Sequence, residues 1–134
     1  MTTVVERAVV DTNVLLAATD RGRTGHGAAL DVLNAWPAAG TTLYTSGQIL
    51  REYYAVATRP PAVNGLGLRA SDALTNIRTL RSRLNVLAEN EKVADRLIAL
   101  LEDVPCTGKQ VHDANVVATM LSHGIRGRYT WNGL

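Results

Sequence analysis

Apolar residues recur along the chain in two rhythms. Short continuous or alternating runs are interleaved with longer segments where they return every three or four positions, the mark of strands alternating with amphipathic helices. Residues 6–10 are a run of strand length that ends abruptly at Asp11. Asp11 or Thr12 can cap a short helix over 13–19. Residues 26–36 are apolar at Ala29, Leu30, Leu33 and Trp36, a helical pattern that Pro37 should stop. Residues 41–45 alternate as a strand. Ser46 then caps a helix through about residue 58, ended by Pro60 and Pro61.

Residues 59–70 hold two prolines and two glycines and are predicted to be a loop. Ser71 is the expected cap of a helix through about residue 84, and 85–87 form a brief strand. Asn90 caps a helix over 91–103 with Val93, Leu97, Ile98 and Leu101 on one face. A connector with at most a short strand fills 104–108. The last helix, 109–122, stops at Gly124, a residue suited to a helix C-terminus, and 127–131 close the chain as a strand. Strands alternating with helices predict a parallel sheet covered by helices, with ligands bound beyond the carboxyl ends of the strands. Asp11 stands at such an end.

The 134 residues make one domain, 1–134, with no internal repeat or linker. At 46% hydrophobic and 19% charged residues the chain can bury a core without disulfides. Its single cysteine, Cys106, cannot bridge internally, and this fits a reducing, cytoplasmic setting. The apolar run near the N-terminus is interrupted by Glu6, Arg7 and Asp11, unlike a signal peptide. No uncharged apolar stretch of about 18 residues is present, so no membrane span is expected. A formal charge of +2 is compatible with nucleic acid but does not by itself argue for it.

Three acids change the picture. Asp11 follows the most apolar strand. Glu52 falls three residues after Ile49 and four before Val56, on the side of the apolar stripe. Asp113 precedes Val116, Val117 and Met120 by three, four and seven residues and so heads an inward-facing stripe. Taken singly, each has a plain structural explanation: a helix cap, a snorkelling side chain, a charge that favours a helix dipole. Taken together they are three carboxylates without an evident buried Arg or Lys partner, and burial of such groups asks for a cation. Oxygen donors without a Cys/His cluster suit Mg²⁺ or Mn²⁺, and such a site can activate water against a phosphodiester.

The same residues resemble a known family. Asp-Thr-Asn-Val-Leu-Leu at 11–16, Glu52 in Leu-Arg-Glu-Tyr-Tyr, and His-Asp-Ala-Asn-Val-Val-Ala-Thr-Met at 112–120 resemble, in order and spacing, the acidic blocks of PIN-domain nucleases. The terminal Tyr-Thr-Trp-Asn extends the likeness over nearly the whole chain. The compact length is similar to that of VapC-like toxins of VapBC toxin–antitoxin pairs. This resemblance implies a three-layer α/β/α sandwich with a central, mainly parallel sheet, Mg²⁺ or Mn²⁺ dependence and cleavage of RNA. It also implies a homodimer and inhibition by a cognate antitoxin. Asp11, Glu52 and Asp113 become the catalytic and metal-site acids, with Thr12, Asn13, Asn115 and Asn132 as supporting polar residues. Asn132 is a departure: relatives often carry a fourth acid there, or in an Asp-Phe pair a few residues later, and an amide adds no negative charge.

Other residues admit two readings each. His112 is a general base or a solvent-facing helix residue. Tyr53 and Tyr54 stack on bases or fill the core. Arg69, Arg78, Arg81 and Arg83 track an RNA backbone or form an ordinary charged surface. The apolar faces of 26–36 and 91–103 are core or a partner surface. Three rival functions follow: a PIN fold that binds RNA or a partner without turnover for want of the fourth acid; a haloacid-dehalogenase-type phosphatase, disfavoured because Asn13 stands where that chemistry needs a second acid; and an interaction module, which leaves the inward acids without a purpose.

Overall fold

The computed structural model describes residues 6–129. Strand β1 (Arg7–Val10) is the apolar run before Asp11, and Ala8, Val9 and Val10 are fully buried. A strand covered on both faces must be apolar throughout, so the run does not alternate. Beside it lie β2 (Thr42–Ser46), then β3 (Asn85–Leu87), and on its other side β4 (Gly127–Tyr129), all parallel in the order β3-β2-β1-β4. Ala8 pairs in register with Leu43 and Gly127.

Parallel neighbours need crossovers. The first is made by α1 (Thr12–Ala18) and α2 (His26–Ala38), the second by α3 (Gly47–Ala57), a 3₁₀ turn at Pro61–Val63 and α4 (Ala70–Arg81), and the third by α5 (Glu91–Asp103) and α6 (Lys109–Ser122). The first two step outward from β1 and the third returns past it. With right-handed crossovers, α1 to α4 cover one face and α5 with α6 the other, in keeping with the packing of α1 on α2 and α3, of α3 on α4, and of α5 on α6. The result is the three-layer sandwich. Between β1 and β4 the direction of winding reverses, and the crevice beyond the strand ends at that point is where such sheets bind ligands.

Several expectations are revised. Pro37 lies inside α2 and does not stop it. In the last turn a proline forfeits one backbone bond only, and the neighbouring carbonyls are met from beyond: Ala39 N–H reaches Ala35 O, and Thr41 N–H reaches Trp36 O at 3.0 Å. Arg69, not Ser71, occupies the cap position of α4, because Gly67, at φ +66°, and the bond from Leu68 N–H to Ala57 O set the helix entry two residues earlier. Residues 104–108 hold no strand. The end of the expected last strand, residues 130 and 131, and Asn132 lie outside the described residues. On α5, Val93 is buried, whereas Ile98 stays 56% exposed. Among the described residues no helix is long and apolar enough to cross a membrane.

Tyr53 belongs to the core. It is fully buried, and its hydroxyl joins Thr19 Oγ1 at 2.9 Å and accepts from Asn76 Nδ2 at 3.0 Å, tying α3 to the end of α1 and to α4. Tyr53→Phe keeps the ring but strips both partners of a bond. The expected loss is about 1 kcal/mol, since Thr19 Oγ1 retains Leu15 O. Thermal melting followed by circular dichroism should show a midpoint several degrees lower; an unchanged midpoint would show that the hydroxyl contributes nothing.

Candidate active site

Asp11 ends β1 in extended conformation and caps α1, its Oδ1 accepting from Thr12 N–H at 2.8 Å. It is nearly buried, at 7% exposure. Thr12, the first residue of α1, turns its hydroxyl toward α3 and donates to Glu52 Oε2 at 3.0 Å. Helix α3 starts where it does because Ser46 Oγ accepts from Ile49 N–H, and this phase places Glu52 half-buried beside Thr12.

The second oxygen of Glu52 is held by a residue that sequence reasoning did not single out. Gln48, one turn earlier and 3% exposed, donates from Nε2 to Glu52 Oε1 at 2.7 Å and to the carbonyl of His112 at 2.9 Å. Its Oε1 accepts from Asn115 Nδ2, which also donates to Glu89 Oε1 at 2.9 Å. A flipped amide would turn an oxygen toward a carboxylate, so only this orientation serves. Gln48 thus fixes one face of Glu52 and ties α3 to α6 at His112, the residue before Asp113. Asn115 acts behind the cleft, through Gln48.

Asp113 departs from expectation: its stripe continues inward at Val116 and Met120, but Asp113 itself is exposed. It is the fifth residue of α6, which begins after Gly108. Even so, Asp11, Glu52 and Asp113 line one cleft of about 480 Å³, together with Thr12, Asn13 and His112. Arg23, Arg59 and Lys109 line it too. Arg69, Arg78 and Arg81 do not. Arg78 and Arg81 border a separate depression with Asn85, the first residue of β3, at the opposite end of the strands.

The donor set is one of hard oxygens and suits a hydrated Mg²⁺ or Mn²⁺, which ordinarily takes one or two carboxylates and keeps waters as its other ligands. It does not suit an ion gripped by all three acids at once: among the described residues no three Asp, Glu, His or Cys side chains gather closely enough to share one ion.

The chain is thus a parallel α/β/α sandwich with a carboxylate-lined cleft beyond the strand ends at its switch point. The PIN-domain family model matches residues 8–126, and the chain belongs to that family. Among solved structures it is similar to Mycobacterium tuberculosis VapC20, a sarcin–ricin-loop-cleaving toxin, at 24% identity and a TM-score of 0.71, over 94% of this chain and 90% of that one. It is also similar to VapBC2 of Rickettsia felis, solved with a DNA fragment from its promoter, at 15% identity and a TM-score of 0.61, over 89% and 83%. At these identities the likeness is one of fold. No curated protein matches the chain.

Proposed function

We propose that the chain is a Mg²⁺- or Mn²⁺-dependent endoribonuclease and the toxin of a type II toxin–antitoxin pair, acting in the cytoplasm. One observation carries the reading: Asp11, Glu52 and Asp113, from the beginning, middle and end of the chain, line a single cleft at the switch point of a PIN fold. When bound, a divalent cation supplies a hydrolytic nucleophile from water and offsets charge on the phosphodiester. Of Asp11, Asp113 and Glu52, one or two would hold it directly and the remainder through its waters. Thr12 and Gln48 keep both oxygens of Glu52 in place as acceptors, so the carboxylate meets the substrate already oriented. Asn13 and His112 offer further polar contacts on the wall.

The fold likeness to a sarcin–ricin-loop-cleaving toxin makes a ribosomal RNA loop the first substrate to try. A cognate antitoxin and a homodimer complete the proposal. The exposed apolar side chains of Ile98 and Val104 are a surface suited to a protein partner.

A second reading, a PIN-fold module that binds RNA or its partner without turnover, draws on the absence of a three-acid ion site among the described residues. Purified, partner-free protein incubated with total RNA distinguishes the two. New RNA ends in Mn²⁺ that vanish in EDTA are the expected result; RNA left whole at millimolar Mn²⁺ would leave the binding module standing instead.

A further inference from the structure

Three acids in one recess repel a polyanion, yet the same recess carries three cations. Arg23 comes from the loop after α1, Arg59 from the end of α3 and Lys109 from the start of α6. Each stands on a different segment, so their arrival at one cleft is a product of the fold and not of a charged run. Arg23 leans on Asp20 at 3.9 Å, an ion pair between partly exposed side chains of small worth. Among the described residues neither Arg59 nor Lys109 takes part in an ion pair. Cationic heads placed around carboxylates without being consumed by them remain available to phosphate, and phosphate contacts supply most nucleic-acid affinity.

Asp11 fixes the form of the ligand. At 7% exposure it lies at the floor of the recess, so a phosphodiester must enter the cleft to reach it. An extended or looped strand can do so, whereas an A-form duplex presents its phosphates on a stiff outer surface.

We infer that Arg23, Arg59 and Lys109 are the phosphate-binding set, holding the backbone of single-stranded RNA on either side of the phosphodiester above the acids. Arg69, Arg78 and Arg81 take no part, since two of them border a depression at the far end of the sheet and none reaches the cleft. The choice of RNA rests on the ribonuclease reading; the choice of residues rests on the cleft.

The test is fluorescence anisotropy of a labelled 12-nucleotide single-stranded RNA, in EDTA to prevent cleavage, with NaCl raised from 50 to 200 mM. Each phosphate contact on a single strand adds about 0.7 to the slope of log affinity against log salt. The triple variant R23A/R59A/K109A should therefore lose about 2 from the wild-type slope, so the fourfold rise in salt weakens its binding roughly 15- to 20-fold less than that of the wild type. The double variant R59A/K109A, which leaves the half-buried Arg23 untouched, should lose about 1.4. The control R69A/R78A/R81A should keep the wild-type slope.

A wild-type slope in the double variant, a larger loss in the control, or no RNA binding by the wild type at 50 mM salt overturns the inference. Cleavage of the same RNA in Mn²⁺ is scored separately. Cleavage with unaltered slopes spares the nuclease and removes this phosphate set, while altered slopes without cleavage do the reverse.

Discussion

The Asp11→Asn variant is expected to cleave RNA at least about 10²-fold more slowly than the wild type, with a melting temperature close to unchanged. The magnitude follows from position: loss of a residue that merely supports a metal ligand already costs about 10- to 100-fold in affinity or activity, and Asp11 stands where the ligand itself would be. The choice of asparagine follows from its second role. Asp11 caps α1 through Oδ1 and Thr12 N–H at 2.8 Å, and asparagine caps as well as aspartate does. Alanine would remove the cap along with the charge, at a cost of about 1 kcal/mol, and would confuse a folding defect with a chemical one. Rates at matched Mn²⁺, together with Mn²⁺ affinity by calorimetry, separate the contributions. More than a tenth of wild-type activity in this variant would show that the Asp11 carboxylate is remote from the reaction.

The parts of this site that could be read from sequence are those with a strong local signature. The run before Asp11 is apolar at every buried position because β1 is sandwiched between two helix layers. Ser46 and Asn90 announce helix starts, and their side chains accept from Ile49 N–H and Val93 N–H as caps do. Glu52 followed from its place relative to Ile49 and Val56. Where the outcome depends on distant neighbours, the signature fades. Asp113 heads the right stripe, yet it is exposed while Val116 and Met120 on the same stripe are buried, because exposure is set by what the rest of the chain brings to each turn of α6. Gln48 is neutral and polar, so it belongs to neither an apolar stripe nor a charge cluster. It is buried because its partners at His112 and Asn115 arrive from more than sixty residues away. A weak clue existed, since Gln48 and Glu52 are four apart and share a helix face. The cleft cations had uneven clues: Lys109 is four before Asp113, a spacing that keeps helix residues on one side, while Arg59 falls just past the end of α3. Arg23, in a loop, had none.

That hidden glutamine yields the second large expected effect. Gln48→Leu keeps a side chain of comparable bulk, one bond shorter, while removing three hydrogen bonds at once, to Glu52 Oε1, the His112 carbonyl and Asn115. Buried groups left without a partner cost about 1–3 kcal/mol, so the variant should melt several degrees lower but still fold. The functional loss should exceed what that destabilisation explains. Among the described residues Glu52 keeps only the Thr12 bond and is free to rotate about it, while α6 loses a tie to α3 at His112, next to Asp113. A loss of about 10- to 100-fold in Mn²⁺ affinity and cleavage rate is expected, the range found when a residue orienting a metal ligand is removed. The comparison with Tyr53→Phe makes the point sharply, because that variant is destabilised too but touches neither carboxylate. If both variants lose activity only in proportion to their melting temperatures, Gln48 is a packing residue; if the Gln48→Leu variant alone loses Mn²⁺ affinity at a temperature where it is fully folded, the amide is what aims Glu52 at the cleft.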